Sequence, residues 1–431
     1  MIKVLWIACN PLQVIRNNIT EQASDGTGGW LDGGAEAVIK EQGIELSYCF
    51  QYPKELEGKV DGIKYYTMPM VRQIHFKDIS GYGQSDLERF RYILQCCTPD
   101  VIQIFGTESL FQRQFVEMAY DLKLIDKTIV WVQGLVSFCS KCYTDGLNIN
   151  QIRTRTPWEI LRGTNVEGIQ RRLALNGRGE IRVLKILKNV FVRTEWDAAC
   201  CRAINPELNL YYCNETLRNN FYENNLWELE KAETHSIFMS QYRTPIKGFH
   251  KMLEALPIIL REFPDSILYT TGPDILKKGG NLLDRIRETS YEKILRNKII
   301  ENHLENHIHF MGTLQGKQMR DRYIKSHVFV SASSIENSPN SVGEAMILGV
   351  PIVASDVGGV ASMMTHKVEG FLYPFNESAM LAEYICKIFR DNQLAKQFSY
   401  KARIRGKETH DCSANYNILL ECYKQMIEVQ R

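Results

Sequence analysis

Short apolar runs that alternate with longer helical stretches constrain the fold of this 431-residue chain more than any other feature. Several of these runs are apolar throughout rather than at every second residue, as at 129–132 (Ile-Val-Trp-Val) and 328–330 (Val-Phe-Val). Strands that are buried on both faces of a parallel sheet carry this pattern. The alternation of such strands with helices predicts an α/β protein with doubly wound parallel sheets.

The apolar runs form two series, which predicts two such domains facing each other across a cleft. The first series lies at 3–8, 45–49, 62–68, 101–105, 128–133 and 189–193, and the second lies at 236–240, 266–271, 307–311, 327–331, 351–355 and 370–373. A polar, aromatic-rich stretch separates them. We therefore predict an N-terminal domain at 1–204, a connection at 205–232, a second domain at 233–400 and an amphipathic helical tail at 401–431.

Composition excludes several classes of protein. Fifty-two Lys and Arg balance fifty Asp and Glu, which argues against a general nucleic-acid binder. No apolar run reaches the roughly 18 residues that a membrane-spanning helix needs, and the N-terminal run is too short for a signal peptide. Twelve scattered cysteines, two pairs of them adjacent, fit a reduced cytosolic protein.

A glycine-rich loop after the first strand is one candidate ligand loop, because ligands of open parallel sheets bind at the carboxyl ends of strands. The adjacent Gly28 and Gly29 allow the backbone to approach a ligand closely. Leu31 stands where a dinucleotide fingerprint would have its third glycine, so that motif is excluded. A flexible surface loop is the alternative interpretation.

A basic loop at 241–248 is the second candidate. Arg243 and Lys247 follow the first strand of the second series, where a fixed cation balances a diphosphate. The alternative is a solvated basic loop.

The third candidate loop, at 333–346, leads into a helix that we expect to begin near Asn340. Asn340 and Ser341 are residue types that cap helices, and the free N–H groups of the first turn form an anion site. Glu336 and Glu344 are spaced to flank one ligand from different sides. Two surface acids are the alternative interpretation.

This third run, together with 349–355, 357–360 and 369–374, resembles the nucleotide-sugar site of family 4 glycosyltransferases, which are retaining enzymes of the GT-B fold. The resemblance is dense over 235–390. The motifs at 105–108, 133–135, 193–197 and 214–218 are similar to bacterial capsular and exopolysaccharide glycosyltransferases.

The resemblance implies roles for the matching residues. Glu344 would hold the ribose hydroxyls, and Glu336 would contact the transferred sugar. Lys247, with a nearby Arg, would neutralise the leaving diphosphate. The amides of Asn340, Ser341 and Val342 would bind the phosphates or the sugar, and the loop containing Gly29 would close over the diphosphate.

The chain departs from the family pattern at three positions. Tyr242 stands where relatives carry Arg, so Arg243 or Arg193 is expected to supply the second cation. Pro339 has no N–H to donate, which removes one backbone contact. Where many relatives place a catalytic His in the N-terminal domain, Glu108 is the nearest ionisable residue, and we include it as a catalytic candidate without an assigned role.

The implied reaction transfers a hexosyl group, with retention, from a UDP- or GDP-sugar to a hydroxyl of a glycan or lipid-linked acceptor in bacterial surface polysaccharide synthesis. No cofactor would be permanently bound. No Asp-x-Asp pair occurs in the chain, which favours metal-independent stabilisation of the leaving group by Lys, Arg and a helix N-terminus. The alternatives are a GT-B nucleotide-sugar epimerase, a phosphorylase, and a sugar-nucleotide-binding subunit with weakened catalysis.

A basic stretch at 151–188 carries nine Lys and Arg against three Glu, with Trp158, Ile160, Leu161, Leu173 and Leu175 between them. This pattern predicts binding to an anionic membrane surface, where lipid-linked acceptors reside. A solvated helical face is the alternative. We therefore expect a cytoplasmic protein that associates peripherally with the inner face of the cytoplasmic membrane.

Overall fold

The computed structural model of the chain describes residues 1–19, 29–40, 43–69, 81–223, 225–277 and 288–429. The chain forms two compact units. Unit 1 comprises Met1–Phe138, Leu173–Arg218 and His410–Arg431, and unit 2 comprises Cys139–Arg172 and Asn219–Thr409. These boundaries differ from those expected above, because 139–172 packs within unit 2 and the segment from His410 packs within unit 1.

Unit 1 is built on an eight-stranded sheet with the order β3-β4-β2-β1-β5-β6-β7-β8. Neighbouring strands are parallel except for the antiparallel pair β3 and β4. The strands are β1 (Ile2–Ala8), β2 (Ile44–Gln51), β3 (Glu57–Val60), β4 (Ile63–Met68), β5 (Val101–Phe105), β6 (Thr128–Trp131), β7 (Asn189–Val192) and β8 (Asn209–Tyr212).

Unit 2 is built on a six-stranded, wholly parallel sheet with the order β11-β10-β9-β12-β13-β14. Its strands are β9 (Glu233–Met239), β10 (Ile267–Thr270), β11 (Ile308–Phe310), β12 (Ser326–Ser331), β13 (Ile352–Ser355) and β14 (Gly370–Tyr373). Because β9, β12 and β13 are neighbours, the loops at their carboxyl ends lie side by side.

The described helices are numbered here in chain order. They are α1 (Gln13–Ile19), α2 (Gly29–Lys40), α3 (Gln84–Cys97), α4 (Leu110–Asp121), α5 (Val136–Cys142), α6 (Ile149–Arg153), α7 (Pro157–Arg162), α8 (Val166–Ile186), α9 (Glu195–Ile204), α10 (Phe249–Leu260), α11 (Ser290–Glu301), α12 (Gly316–Lys325), α13 (Asn340–Leu348), α14 (Val360–Met363), α15 (Ser378–Arg390), α16 (Asn392–Thr409) and α17 (Cys412–Val429). Among the described residues, no helix is both long and apolar enough to cross a membrane.

The predicted α/β class and its two parallel sheets are confirmed, and each of the twelve predicted strands is present with its ends shifted by at most a few residues. Two further strands escaped prediction. β3 has the largely exposed sequence Glu-Gly-Lys-Val, and β8 lies within the stretch at 205–232 that was expected to connect the domains. Both are edge strands, so neither carries the apolar run that marks a strand buried on both faces.

Burial on both faces of the unit 1 sheet explains the continuous apolar runs. In β1, Leu5 and Ile7 belong to the hydrophobic cluster on one face, and Val4 and Trp6 belong to the cluster on the other. Successive side chains of a strand point to opposite faces, so a doubly covered sheet needs apolar residues at both parities.

The C-terminal helix α17 covers one face of this sheet and is tied to it by a buried hydrogen-bond chain. Trp6 Nε1 donates to the Tyr423 hydroxyl at 3.0 Å, and that hydroxyl donates to Gln103 Oε1. Tyr423 also packs edge-on against Phe191 of β7, with ring centroids 6.1 Å apart. The helix therefore closes the core of unit 1 rather than forming a detached tail.

We predict that Tyr423→Phe lowers the free energy of unfolding by about 1–3 kcal/mol, because it leaves the buried Trp6 Nε1 and Gln103 Oε1 without their shared partner. Urea unfolding followed by far-UV circular dichroism measures the change. The control is Tyr400→Phe, which removes a hydroxyl from an exposed side chain of α16 and should change stability by less than about 0.5 kcal/mol. Equal effects of the two substitutions would refute the role given to Tyr423.

Candidate active site

Three loops at the carboxyl edge of the unit 2 sheet build the candidate site. The loop after β9 contains a short 3₁₀ turn, Pro245–Lys247, and the loop after β12 contains Glu336. The loop after β13 contains Gly358 and Gly359 just before α14. Their strands are adjacent in a parallel sheet, which places the loops at the edge where such sheets bind ligands.

An ion pair between Lys247 and Glu336 lies at the centre of these loops. Lys247 Nζ is 2.6 Å from Glu336 Oε1, and the Ser333 hydroxyl donates to the same oxygen at 2.6 Å. The two charged side chains are 29 % and 13 % exposed. Both charges are therefore mutually compensated, and both remain within reach of a ligand.

The backbone around this pair is held at close approach by two glycines. Gly248 has a φ of +67°, and a Cβ there would lie 1.7 Å from the Ala332 carbonyl oxygen. Gly358 has a φ of +52°, and a Cβ there would lie 2.0 Å from the Glu336 carbonyl oxygen. Glycine is the residue that permits both the left-handed conformation and the contact, so these positions fix how the loops interlock.

Further hydrogen bonds lock the segment that carries Glu336. The Glu336 carbonyl accepts from the Gly359 N–H at 2.9 Å, and the Ser333 carbonyl accepts from the Ser355 hydroxyl at 2.6 Å. The Ser334 N–H donates to the Ile246 carbonyl at 2.8 Å, next to Lys247. The loops after β9 and β13 are thus both hydrogen-bonded to the loop carrying Glu336.

Helix α13 begins at Asn340, as the sequence predicts, but its capping differs from the expectation. The N-cap is Pro339, and no side chain caps the helix. The Val342 N–H donates to the Pro339 carbonyl at 2.9 Å. Asn340 and Ser341 are partly exposed in the first turn, whereas Glu344 is buried one turn into the helix.

Tyr242, which replaces the family's Arg, and Arg243, a candidate for the second cation, have different surroundings. Tyr242 is fully buried and packs against Phe249 and Phe310, so the residue that replaces the family's Arg belongs to the core. Arg243 is 62 % exposed, and its guanidinium lies 4.0 Å from a Glu292 carboxylate oxygen.

Arg193 lies in unit 1, where it forms a buried ion pair with Glu215 at 2.8 Å. Its guanidinium also donates to the Gln133 carbonyl at 3.0 Å. The structure therefore brings Lys247 and Glu336 together and gives Arg193 a separate, buried partner.

Glu108 lies at the carboxyl edge of β5 in unit 1. Its carboxylate folds over two glycines: a Cβ at Gly106 would lie 2.0 Å from one oxygen, and a Cβ at Gly134 would lie 3.3 Å from the other. Burial raises the pKa of this carboxyl to about 7. Backbone hydrogen bonds to the carboxylate oppose this rise, and the charge of Glu180 adds to it.

Two residues of these edges were not predicted from the sequence. Ser333 binds Glu336, and the buried Glu180 accepts hydrogen bonds from the Val136 and Ser137 N–H groups at the start of α5. Ser333 is the first residue of the candidate loop at 333–346, but it is one of several serines there, and Glu180 lies mid-helix outside any motif. Of the predicted glycines, Gly28 lies outside the described residues and Gly29 is the first residue of α2.

Within the described ranges of the chain, no cluster of three or more His, Cys, Asp or Glu is arranged to hold a metal ion.

Comparison with protein families places a known domain over this site. Residues 222–405 match the model of the family described as glycosyl transferases group 1. The match covers less than half of the chain, and it includes Lys247, Glu336 and Glu344.

Curated relatives are similar to the chain over parts of their length. A putative glycosyltransferase, YtcC, of Bacillus subtilis is 25 % identical over 162 residues, which are 37 % of this chain and 38 % of that protein. The phosphatidyl-myo-inositol mannosyltransferase of Mycobacterium leprae is 27 % identical over 172 residues, 38 % of this chain and 39 % of that one. The aligned segments thus span under half of these relatives' length.

Solved structures share the fold of the whole chain. A sucrose-phosphate synthase from Thermosynechococcus elongatus superposes with a TM-score of 0.67 over 100 % of both chains at 14 % identity. Anabaena HepE, solved with UDP and glucose, superposes with a TM-score of 0.65 over 98 % of this chain and 100 % of that chain at 15 % identity. These likenesses establish the GT-B fold that the sequence predicts.

Proposed function

We propose that this protein is a retaining glycosyltransferase that moves a hexosyl group from a UDP- or GDP-sugar to an acceptor hydroxyl. The observation that carries the proposal is the Lys247–Glu336 pair, held by Ser333 at the carboxyl edge of the unit 2 sheet. This edge lies within the segment that matches group 1 glycosyltransferases. The solved HepE complexes with UDP and UDP-glucose support the donor class.

Lys247 and Glu336 exchange partners when the donor binds. The ammonium of Lys247 turns to the diphosphate, whose negative charge grows as the bond to the sugar breaks, and so it stabilises the transition state more than the ground state. Glu336, released from the ion pair, accepts hydrogen bonds from the hydroxyls of the transferred sugar. In the free protein, the pair prevents either charge from being left unpaired.

The first turn of α13 and the residues around it hold the nucleotide. Glu344 binds the ribose hydroxyls, and the backbone at Asn340, Ser341 and Val342 faces the phosphates or the sugar. Pro339 contributes no N–H, and the Val342 N–H is already bonded to the Pro339 carbonyl. The helix therefore offers fewer free amides than its family pattern implies, and charge from Lys and Arg carries more of the stabilisation.

Arg243 is the better candidate for the second cation. Its guanidinium is largely exposed, and its contact with Glu292 is long, at 4.0 Å. Turning towards a diphosphate therefore costs little free energy. Arg193 would have to leave a buried carboxylate, and breaking such a pair typically costs about 3–5 kcal/mol. We therefore assign Arg193 to the stability of unit 1. The absence of Asp-x-Asp from the sequence supports leaving-group stabilisation without a metal.

The acceptor is a glycan or a lipid-linked sugar in bacterial surface polysaccharide synthesis. The N-terminal motifs resemble enzymes of that class, and a phosphatidyl-myo-inositol mannosyltransferase is among the relatives. None of the twelve cysteines, all of which lie within the described residues, forms a disulfide, which favours a reduced, cytoplasmic compartment.

Replacing Lys247 tests the central role in this reaction. We predict that Lys247→Ala lowers kcat by on the order of 100- to 1000-fold with a smaller change in KM for the donor, because the charge that Lys247 meets develops in the transition state. The assay is steady-state transfer or donor hydrolysis with a panel of UDP- and GDP-sugars. Lys293→Ala, at an exposed lysine of α11, is the control and should match the wild type.

Two results of this assay would count against the proposal. Turnover of Lys247→Ala close to that of the wild type would remove Lys247 from the mechanism. Donor binding by the wild type without any turnover would instead favour a sugar-nucleotide-binding subunit.

We propose that the ionised carboxylate of Glu108 accepts a hydrogen bond from the hydroxyl of the acceptor. With a pKa near 7, its carboxyl is protonated below neutrality and charged above it, so wild-type kcat/KM should rise between about pH 6 and pH 8. Glu108→Gln should lose this rise and fall in activity most at high pH. Glu88→Gln, at an exposed acid of α3, should retain the wild-type profile. An unchanged pH profile in Glu108→Gln would show that the carboxyl takes no part in the reaction.

A further inference from the structure

The short helices α6 and α7 and the three residues that join them make up the segment 149–162, called the α6–α7 hairpin, which exposes apolar side chains to solvent. Ile160 is 67 % exposed and Ile149 is 55 % exposed, which makes them the two most exposed isoleucines of the described chain. Both belong to this one 14-residue segment of unit 2. Scattered exposed apolar residues are ordinary, but two such residues in one small element indicate a surface that meets an apolar phase.

The same hairpin has a one-sided charge. It contains Arg153, Arg155 and Arg162, all exposed, and its single acid is Glu159. Glu159 is buried, where it accepts hydrogen bonds from the Thr156 N–H and the Ser290 hydroxyl. The solvent-facing side of the hairpin is therefore purely basic.

The arginines of the hairpin are largely available to a ligand. Within the described ranges, neither Arg153 nor Arg162 has a carboxylate within 4.0 Å, and Arg155 lies 3.6 Å from Glu167. The Arg162 guanidinium stacks over the ring of Trp158 at 4.0 Å. This stack places a cation and a large amphipathic ring at the same level of the surface, an arrangement suited to a lipid headgroup region.

Three of the six basic residues that follow the hairpin in the basic stretch are engaged with acids of the protein itself. Arg171 pairs with Glu167 at 2.6 Å, Arg182 pairs with Glu117 at 3.1 Å, and Lys188 pairs with Asp126. These pairs lower the effective charge of α8 and of the residues after it. The uncompensated positive charge at 151–188 is therefore shared between the hairpin and α8, where Arg172, Arg178 and Lys185 are exposed.

Two contacts fasten the segment before the hairpin to the candidate site. The Ser334 hydroxyl donates to the Cys142 carbonyl at 2.7 Å, and Ser334 follows directly on the serine that binds Glu336. His250 Nε2 lies 3.0 Å from the Asp145 carbonyl. Burial lowers the pKa of His250 to about 4, so the ring is neutral near pH 7, and its Nε2–H donates to Asp145 while Nδ1 accepts from the Tyr291 hydroxyl.

We propose that the α6–α7 hairpin docks unit 2 onto an anionic phospholipid bilayer. Ile149 and Ile160 insert at the level of the headgroups, and the three arginines bind lipid phosphates. Charge complementarity selects this occupant. The hairpin has a basic face without an exposed acid, so phosphates and carboxylates are not repelled by it, and a dense anionic surface attracts it most. The contacts at Ser334 and His250 would hold the sugar-nucleotide loops in a fixed position relative to that surface.

Vesicle flotation of the full chain tests this proposal without any sugar nucleotide. We expect binding to vesicles of equimolar phosphatidylcholine and phosphatidylglycerol, and far less to phosphatidylcholine alone or at high salt. Ile160→Asp should lower the bound-to-free ratio at least about tenfold, because it removes an apolar side chain that inserts among the headgroups and adds a charge that the anionic surface repels. Ile300→Asp, at an exposed isoleucine of α11, should bind as the wild type does.

A second pair of variants tests the electrostatic part. Arg153→Gln should weaken binding about fivefold, the loss of about 1 kcal/mol expected for one basic residue at an anionic surface. Arg261→Gln, at an exposed arginine that follows α10, should have no effect.

Three results would overturn the proposal. The first is equal vesicle binding by the wild type and Ile160→Asp, and the second is equal binding to anionic and neutral vesicles. The third is a dimer in sedimentation velocity that Ile160→Asp dissociates while the wild type fails to float, which would make the hairpin an interface between copies of the chain. Since flotation measures no transfer, these failures are distinct from a failure of the proposed reaction.

Discussion

The ion pair between Lys247 and Glu336 is the interaction on which the candidate site depends. It joins the loop after β9 to the loop after β12, and Ser333 completes the coordination of the shared carboxylate oxygen. The backbone around the pair contains two glycines in the left-handed conformation. A Cβ added at either glycine would collide with a neighbouring loop, so glycine is needed for the loops to pack this closely. Under the proposed function, the pair keeps the site of the free protein neutral and supplies a cation for the diphosphate and an anion for the transferred sugar.

The parallel sheets make this arrangement possible. Because β9, β12 and β13 run side by side in one direction, residues from distant parts of the chain emerge at a common edge. Unit 1 repeats the principle around Glu108, whose carboxylate rests on Gly106 and lies near the loop after β6. Burial at that edge raises the pKa of Glu108 to about 7, so the two units present chemically different groups: a compensated ion pair in unit 2 and a carboxyl that titrates near neutrality in unit 1.

Much of the fold was predictable from the sequence, because strands covered on both faces leave continuous apolar runs. The edge strands β3 and β8 left no such run, and the packing of 410–429 onto β1 and β5 depends on a Trp6–Tyr423–Gln103 contact across more than three hundred residues, which no local pattern encodes.

In the site, the motif around Glu336 and Glu344 was recognisable. The partner of Lys247, the core position of Tyr242 and the buried pairing of Arg193 were not, since each is decided by tertiary packing. The basic stretch at 151–188 was visible as composition, but which of its charges are compensated became clear only from the ion pairs.

Calorimetric titration of the full chain with UDP and GDP, in the presence of a chelator of divalent cations, tests the account most directly. If the loops around Lys247 and Glu336 bind a diphosphate through fixed cations, one of these nucleotides binds without metal, and Lys247→Ala weakens its binding about 10- to 100-fold. The corresponding nucleoside monophosphate should bind the wild type and this variant with more similar affinities. Failure of both diphosphates to bind, or binding that appears only when a divalent cation is restored, would contradict the account.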